Sequence, residues 1–258
     1  MIKYRRRFPK GNQTRNIVIG LFTCALASPA LAAPAQRTFA EAFFIARRAD
    51  GGLEVLGSVV IWLLLAMSVF GIGLIVSMAV ANRRRTILPD DVVQRIGKPL
   101  KAGQYEKAIA VAKADGSYFG RVMSGGLKQS PHGYEAMVRG LEQVAAEETT
   151  IRFRRIELLN VLGQVSPMIG LFGTVYGMIL AFSAIVASGG AADPAMLAGG
   201  IGTALTTTFW GLVVAIPALA GYALIRNRID ELTIEATLQA EELVAPFRPV
   251  DAEMKQTT

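Results

Sequence analysis

Hydroxyl side chains are concentrated in the last of three long uncharged stretches of this chain. Thr203, Thr206, Thr207 and Thr208 are four threonines within six residues, and Thr174 lies in the preceding uncharged stretch. One threonine in an apolar helix bonds its own backbone, but such a cluster exceeds what helix packing requires and predicts a polar lining. A lining of this kind would solvate an ion or a carboxylate in a medium where an unpaired charge is prohibitive.

Small residues accompany the threonines in both stretches. Gly170, Gly173 and Gly177 recur at helical spacing in the earlier stretch, and Gly211 and Pro217 follow the threonine cluster in the later one. Small residues let helix backbones approach closely in lipid. These five residues therefore predict a packing seam between two helices, with a kink at Pro217.

Ionisable side chains are absent from the three uncharged stretches of the sequence. A self-sufficient proton carrier usually holds such a group in mid-membrane, so a second polypeptide would have to supply the carboxylate for ion transfer. The chain has one histidine, His132, and one cysteine, Cys24, which are too few for a metal site. It also lacks a Ser/His/Asp or paired-carboxylate pattern. We therefore expect neither an enzyme nor a bound metal or cofactor.

The composition is that of a membrane protein. The chain is 52% hydrophobic and 18% charged, with a mean hydropathy of +0.39, whereas soluble domains contain about 25% charged residues. Residues 1–32 hold six basic residues and no acid, which leaves 21 basic against 20 acidic residues in the remainder. Because the excess positive charge belongs to the N-terminus, the composition does not support a nucleic-acid partner.

Residues 1–32 have the three-part layout of a secretory signal peptide. Basic residues precede the apolar run 17–27, and a small-x-small pattern stands at residues 30–32. The alternative is an uncleaved first anchor, because residues 16–36 carry no charge. Two prolines interrupt that run and favour cleavage.

The three uncharged stretches are long enough to cross a membrane as helices. They cover residues 55–81, 158–192 and 195–225, and each exceeds the ~20 residues that a spanning helix needs. An arginine cluster adjoins each stretch, and the three clusters fall on one predicted side. The positive-inside rule therefore predicts that the N-terminus of the mature chain is outside and the C-terminus cytoplasmic, in a multi-pass topology.

The soluble part between the first two stretches is predicted to be helical, without strands. Helical spacing begins near Gly133 and meets no breaker until Pro167, so one long helix should enter the membrane. A polar helical pattern likewise prolongs the third stretch as far as Pro246. The predicted fold class is an all-α membrane protein with three transmembrane helices that extend into the cytoplasm. The predicted segments are a signal peptide (1–32), an outer segment (33–54), helix 1 (55–81), a cytoplasmic helical loop (82–157), helix 2 (158–187), an outer turn (188–194), helix 3 (195–225) and a cytoplasmic helix and tail (226–258).

Two strings of the sequence resemble the membrane core of the ExbB/TolQ/MotA family. Residues 170–178 read Gly-Leu-Phe-Gly-Thr-Val-Tyr-Gly-Met, and residues 200–211 read Gly-Ile-Gly-Thr-Ala-Leu-Thr-Thr-Thr-Phe-Trp-Gly. With the three spans and the large loop, the resemblance covers residues 53 to about 244. A cleaved signal followed by an outer extension is most similar to ExbB proteins.

The resemblance implies a ring of five copies of this chain around a dimer of single-span ExbD-like subunits in a bacterial inner membrane. The partner's membrane aspartate would carry a proton, or the coupling ion would be sodium. The flow would energise outer-membrane transport through a TonB-like protein. Thr174 and Thr208 match the family's pore threonines, with Thr207 and Thr203 in the same lining. The family commonly has a glutamate at Thr203, so a candidate proton relay is missing here.

Other functions stay open from the sequence alone. A TolQ-like stator for envelope maintenance and a MotA-like stator for motility belong to the same family, and an uncleaved anchor would reproduce the four spans of MotA-like members. A non-conducting membrane scaffold is the alternative from another class. A lone secondary transporter fits poorly, because such proteins usually show internal repeats and interrupted helices.

Overall fold

The computed structural model describes residues 43–44, 54–191 and 194–249, and these are almost entirely helical. The predicted signal peptide and most of the predicted outer segment lie outside the described residues. The short helices at Ser130–His132 and Ala245–Phe247 are 3-10 helices. The α-helices are α1 (Val55–Ala81), α2 (Arg84–Ile87), α3 (Asp90–Lys101), α4 (Tyr105–Ala114), α5 (Tyr118–Leu127), α6 (Tyr134–Ala187) and α7 (Pro194–Val244).

Within the described residues, three helices, α1, α6 and α7, are long and apolar enough to cross a membrane. This confirms the predicted three-span, all-α fold. Helix α6 has 54 residues, a length of about 80 Å, and it runs unbroken through Pro167. Because a hydrocarbon core is only ~30 Å thick, a large part of α6 projects from it, and α7 ends at Val244, just before Pro246.

The three arginine clusters meet at one end of the helix bundle. The Arg152 guanidinium donates a hydrogen bond to the Asn82 side-chain oxygen at 3.0 Å, which joins the end of α1 to α6. The Arg226 guanidinium lies 5.3 Å from the centre of the Phe153 ring, which joins α7 to α6. We call this the basic end. That it faces the cytoplasm stays a prediction from the positive-inside rule.

The short helices α3, α4 and α5 pack on the projecting parts of α6 and α7 at the basic end. Their apolar faces form one core with both long helices, so the soluble part is built onto the extensions of the spans. The Tyr118 hydroxyl at the start of α5 donates to the Ala145 carbonyl of α6 at 3.3 Å and lies 3.3 Å from the Thr237 hydroxyl of α7. Fully buried members of this core are Leu88, Ile96, Tyr118, Phe119, Met123, Leu127 and Leu141, with Leu232 and Ala236 from α7.

An ion pair fastens α2 to the projecting part of α7. Both terminal nitrogens of Arg84 reach the Glu235 carboxylate, at 2.7 and 2.8 Å. This bidentate hydrogen bond lowers the pKa of Glu235 and raises the pKa of Arg84. The two side chains remain 38% and 42% exposed, so water screens the pair and its contribution to stability is small.

We expect Glu235→Gln to lower the free energy of unfolding by less than about 1 kcal/mol at neutral pH. The pKa of Glu235 is depressed from its ordinary value of 4.5. The pair's contribution is therefore complete above that value and is lost as the pH falls through the lower, folded-state pKa. Thermal unfolding of the detergent-solubilised chain at several pH values should show the variant and the parent converging in acid. Glu242→Gln, an exposed change on the same helix, is the control and should show no such convergence.

Candidate functional site: the seam between α6 and α7

Helices α6 and α7 touch backbone to backbone near the turn that joins them. A methyl group placed on Gly177 would lie 2.6 Å from the Gly200 carbonyl oxygen and 2.7 Å from the Ala204 backbone nitrogen. The reverse contact is equally close, since a methyl group on Gly200 would lie 2.7 Å from the Gly177 carbonyl oxygen. Backbones this close leave no room for side chains, which is why glycine is required on both helices.

The same close packing continues along the two helices. A methyl group on Gly170 would lie 3.0 Å from the Thr207 carbonyl oxygen, and one on Gly211 would lie 2.9 Å from the Ser166 carbonyl oxygen. A methyl group on Gly173 would collide with the Thr207 side chain. These glycines, with Gly177 and Gly200, form the seam. Pro217 lies inside α7 and is exposed on the single chain, so it takes no part in the seam.

Thr203 and Thr207, two of the four candidate pore threonines, are buried in the packed chain. Thr207 is fully buried against Gly173 and donates its hydroxyl to the Thr203 and Ala204 carbonyls at 3.1 and 3.0 Å. Thr203 is 6% exposed and donates to the Gly199 carbonyl at 3.1 Å. Both hydroxyls therefore bond the backbone of their own helix, and Thr207 fills the space that Gly173 leaves.

Thr174 and Thr208 are the selected threonines that remain partly exposed. The Thr174 hydroxyl donates to the Leu171 carbonyl at 2.6 Å. The Thr208 hydroxyl reaches across the seam to the Gly170 carbonyl, at the long distance of 3.5 Å. Gly170 lies about one helical turn before Thr174, so the two hydroxyls border the same part of the seam.

Helix α1 covers one edge of the seam and leaves the other uncovered. A methyl group on Gly71 would lie 2.7 Å from the Leu162 side chain of α6, and one on Gly221 of α7 would lie 2.9 Å from the Ile75 side chain. Viewed down the axis of α6, Thr174 points about 120° away from Leu162, on the other side of the seam glycines. Viewed down the axis of α7, Thr208 likewise points about 140° away from Gly221. Thr174 and Thr208 therefore stand on the edge that α1 does not cover.

A carboxylate that the sequence analysis passed over reaches the covered edge. Glu54 directly precedes α1, is 3% exposed, and its carboxylate accepts a hydrogen bond from the Tyr176 hydroxyl of α6. Counting charges inside the uncharged stretches missed Glu54, because it stands one residue before the first of them. The sequence signal for Glu54 was its position directly before an apolar run. Within the described residues, no group of three His, Cys, Asp or Glu side chains could hold a metal ion.

Trp210 anchors the chain that precedes α1. Its indole nitrogen donates to the Phe43 carbonyl at 2.8 Å, and its ring packs at 5.8 Å from the ring of Phe44. Phe43 also packs edge-on to Phe209 at 5.2 Å. Part of the predicted outer segment therefore lies against α7.

Three apolar spans, a glycine seam and hydroxyl side chains beside it define a helical integral membrane protein. Residues 115–237 match the profile of the MotA/TolQ/ExbB proton channel family. The chain belongs to this family.

Individual relatives carry the names ExbB and TolQ. A biopolymer transport protein ExbB homolog of Methanothermobacter thermautotrophicus is 31% identical over 68% of this chain and 62% of its own. The biopolymer transport protein exbB1 of Vibrio cholerae is 44% identical over 27% of this chain and 31% of its own. The Tol-Pal system protein TolQ of Haemophilus influenzae is 36% identical over 41% of this chain and 48% of its own. The chain thus matches between about a third and two thirds of the length of these relatives.

Proposed function

We propose that the chain is the membrane stator subunit of an ion-driven motor. It would use the proton (or sodium) motive force together with an ExbD-like partner to energise TonB-dependent outer-membrane transport. Family membership supports ion conduction as the activity, and the relatives named ExbB support the TonB system over other motors. The bacterial inner membrane is the corresponding location.

The uncovered edge of the seam is the observation that carries this proposal. Thr174 and Thr208 leave two hydroxyl groups there, on a pair of helices packed closely through glycine contacts. A hydroxyl that donates to a backbone carbonyl still has lone pairs and can rotate to donate to an anion. The edge therefore suits a carboxylate supplied by another polypeptide.

The described parts of the three spans explain why a partner is needed. Glu54 is the buried carboxylate at their border, and it lies on the edge covered by α1. The edge with Thr174 and Thr208 has hydroxyl groups and no carboxylate of its own. A single-span subunit with a membrane aspartate, held inside a ring of five copies of this chain, would complete an ion path.

A TolQ-like role is the second candidate. The TolQ protein of Haemophilus influenzae is 36% identical over 41% of this chain. The two roles share the membrane chemistry and differ in the protein that receives the motion. Deletion of the gene should impair TonB-dependent outer-membrane uptake in the first case and outer-membrane integrity in the second.

The test is to co-express the chain with a single-span protein that a neighbouring gene encodes and that has an aspartate in its membrane span. Native mass spectrometry of the purified complex should show five copies of the chain with fewer copies of the partner. Vesicles containing the complex and a trapped pH-sensitive dye should then lose an imposed proton gradient. The proposal would be refuted if the chain were a monomer or dimer without a partner and if its vesicles kept both proton and sodium gradients. The non-conducting membrane scaffold would then be the remaining alternative.

A further inference from the structure

We propose that Glu54 is a proton-binding site of this chain, through which protons enter the ion path at the end of the bundle opposite the basic end. The inference rests on the proposed function for its route but not for the site itself. It goes beyond the partner's aspartate and beyond the threonines. It assigns an ionisable group of the membrane bundle to this chain.

The first support is the depth at which the carboxylate lies. Glu157 is the last charged residue of α6 before its uncharged stretch, and Tyr176 follows it by nineteen residues, a rise of roughly 28 Å. Since a hydrocarbon core is ~30 Å thick, the Tyr176 side chain lies at the far border of the core. Glu54 is bonded to that side chain. Glu54 is 3% exposed at this border, so its carboxylate is enclosed by protein and must be hydrogen-bonded there.

The second support is that polar residues lie on the same edge of the bundle as Glu54. Thr203 precedes Gly221 by about five helical turns, so it lies on the edge of α7 that α1 covers. Thr203 and Thr206 are 6% and 9% exposed. Tyr176 lies on the same edge of α6, next to Gly177 in the seam. Glu54, Tyr176 and Thr203 therefore share one edge of the bundle.

The third support is that this arrangement serves both protonation states of the carboxyl group. An ionised carboxylate out of water must be hydrogen-bonded, and the Tyr176 hydroxyl donates to it. The same hydroxyl can accept from a protonated carboxyl group. The Glu54 carbonyl accepts from the Ser58 backbone at 3.0 Å. That bond fixes the residue at the start of α1 while its side chain gains and loses a proton.

The charged surroundings bear on how protons arrive. Tyr176 is the titratable group that contacts Glu54 from α6, and α7 presents Thr203 and Thr206, which do not titrate. Along the chain, Arg47, Arg48 and Asp50 precede Glu54 within seven residues. These three are the charged residues closest to Glu54 in the sequence.

The site is tested first on the full chain in phospholipid vesicles, by infrared spectra recorded across a pH series. Glu54→Gln should remove one carbonyl band of a protonated carboxyl group, and Tyr176→Phe should shift the frequency of that band. The control is Glu135→Gln, because Glu135 is 86% exposed at the basic end. The band that it removes should not respond to Tyr176→Phe. If Tyr176→Phe leaves the band that Glu54→Gln removes unshifted at every pH, the Glu54 carboxyl group does not bind its proton beside Tyr176 and the inference is wrong.

The route is tested on the complex with its partner, using the dye-loaded vesicles. Glu54→Gln should lower proton flux about 100-fold, as expected for loss of a positioned proton donor and acceptor. Glu54→Asp should restore part of that flux. Native mass spectrometry of each variant separates this effect from failed assembly. Unchanged flux in Glu54→Gln would overturn the route. A parent complex that conducts no ions but retains the Glu54 band would overturn the proposed function and leave the proton site standing.

Discussion

Gly177→Ala is expected to separate α6 from α7 and to destabilise the chain by about 3 kcal/mol, at the upper end of the range for overpacked sites. The added methyl group would stand 2.6 Å from the Gly200 carbonyl oxygen and 2.7 Å from the Ala204 nitrogen. Both atoms belong to the backbone of a long helix, so neither can move aside as a side-chain end would. The helices must shift along a large part of their contact. Thermal unfolding of the detergent-solubilised chain measures the loss.

Gly202→Ala is the matched control for this change. It makes the same substitution in the same pair of helices, but nothing lies within 4 Å of the added methyl group. Alanine favours the helix over glycine by about 1 kcal/mol, so this variant should be as stable as the parent or slightly more stable. Equal stability of the two variants would mean that α6 and α7 do not touch at Gly177.

The seam was predictable from the sequence in outline because small residues at helical spacing have one common use in lipid. Gly170, Gly173 and Gly177 all face α7, and Gly211 faces α6. The prediction that Pro217 belongs to the seam was wrong, because the sequence of an apolar helix does not show whether a proline in it packs against a neighbour. Gly200 was not selected as a packing residue, although it makes the reciprocal contact with Gly177.

The polar site was predictable only in part, for reasons of geometry. Thr203, Thr207 and Thr208 are close in sequence but point to different edges of α7, because each residue turns by about 100°. The edge that α1 covers depends on tertiary packing, which periodicity does not encode. Glu54 shows the same limit, since the hydroxyl that donates to its carboxylate belongs to Tyr176, 122 residues away in the chain.

Thr174→Val and Thr208→Val are each expected to lower proton flux through the assembled complex by about 10- to 100-fold, because a hydrogen bond to a charged group contributes about 1.5–3 kcal/mol. Valine keeps the shape of threonine and removes the hydroxyl group. On the uncovered edge of the seam, that hydroxyl is the group available to a partner's carboxylate. The dye-loaded vesicles report the flux, and native mass spectrometry shows whether the complex still assembles.

Two further valine substitutions separate loss of the path from general damage. Thr150→Val removes a hydroxyl that donates to the Ala146 carbonyl at 2.8 Å on the same helix as Thr174, but outside the uncharged stretch, and should leave flux unchanged. Thr207→Val removes a buried hydroxyl that bonds its own helix. It should also conduct, because no partner can reach a side chain enclosed against Gly173. If Thr207→Val blocked the flux while Thr174→Val and Thr208→Val conducted normally, the ion path would run inside the seam rather than along its uncovered edge.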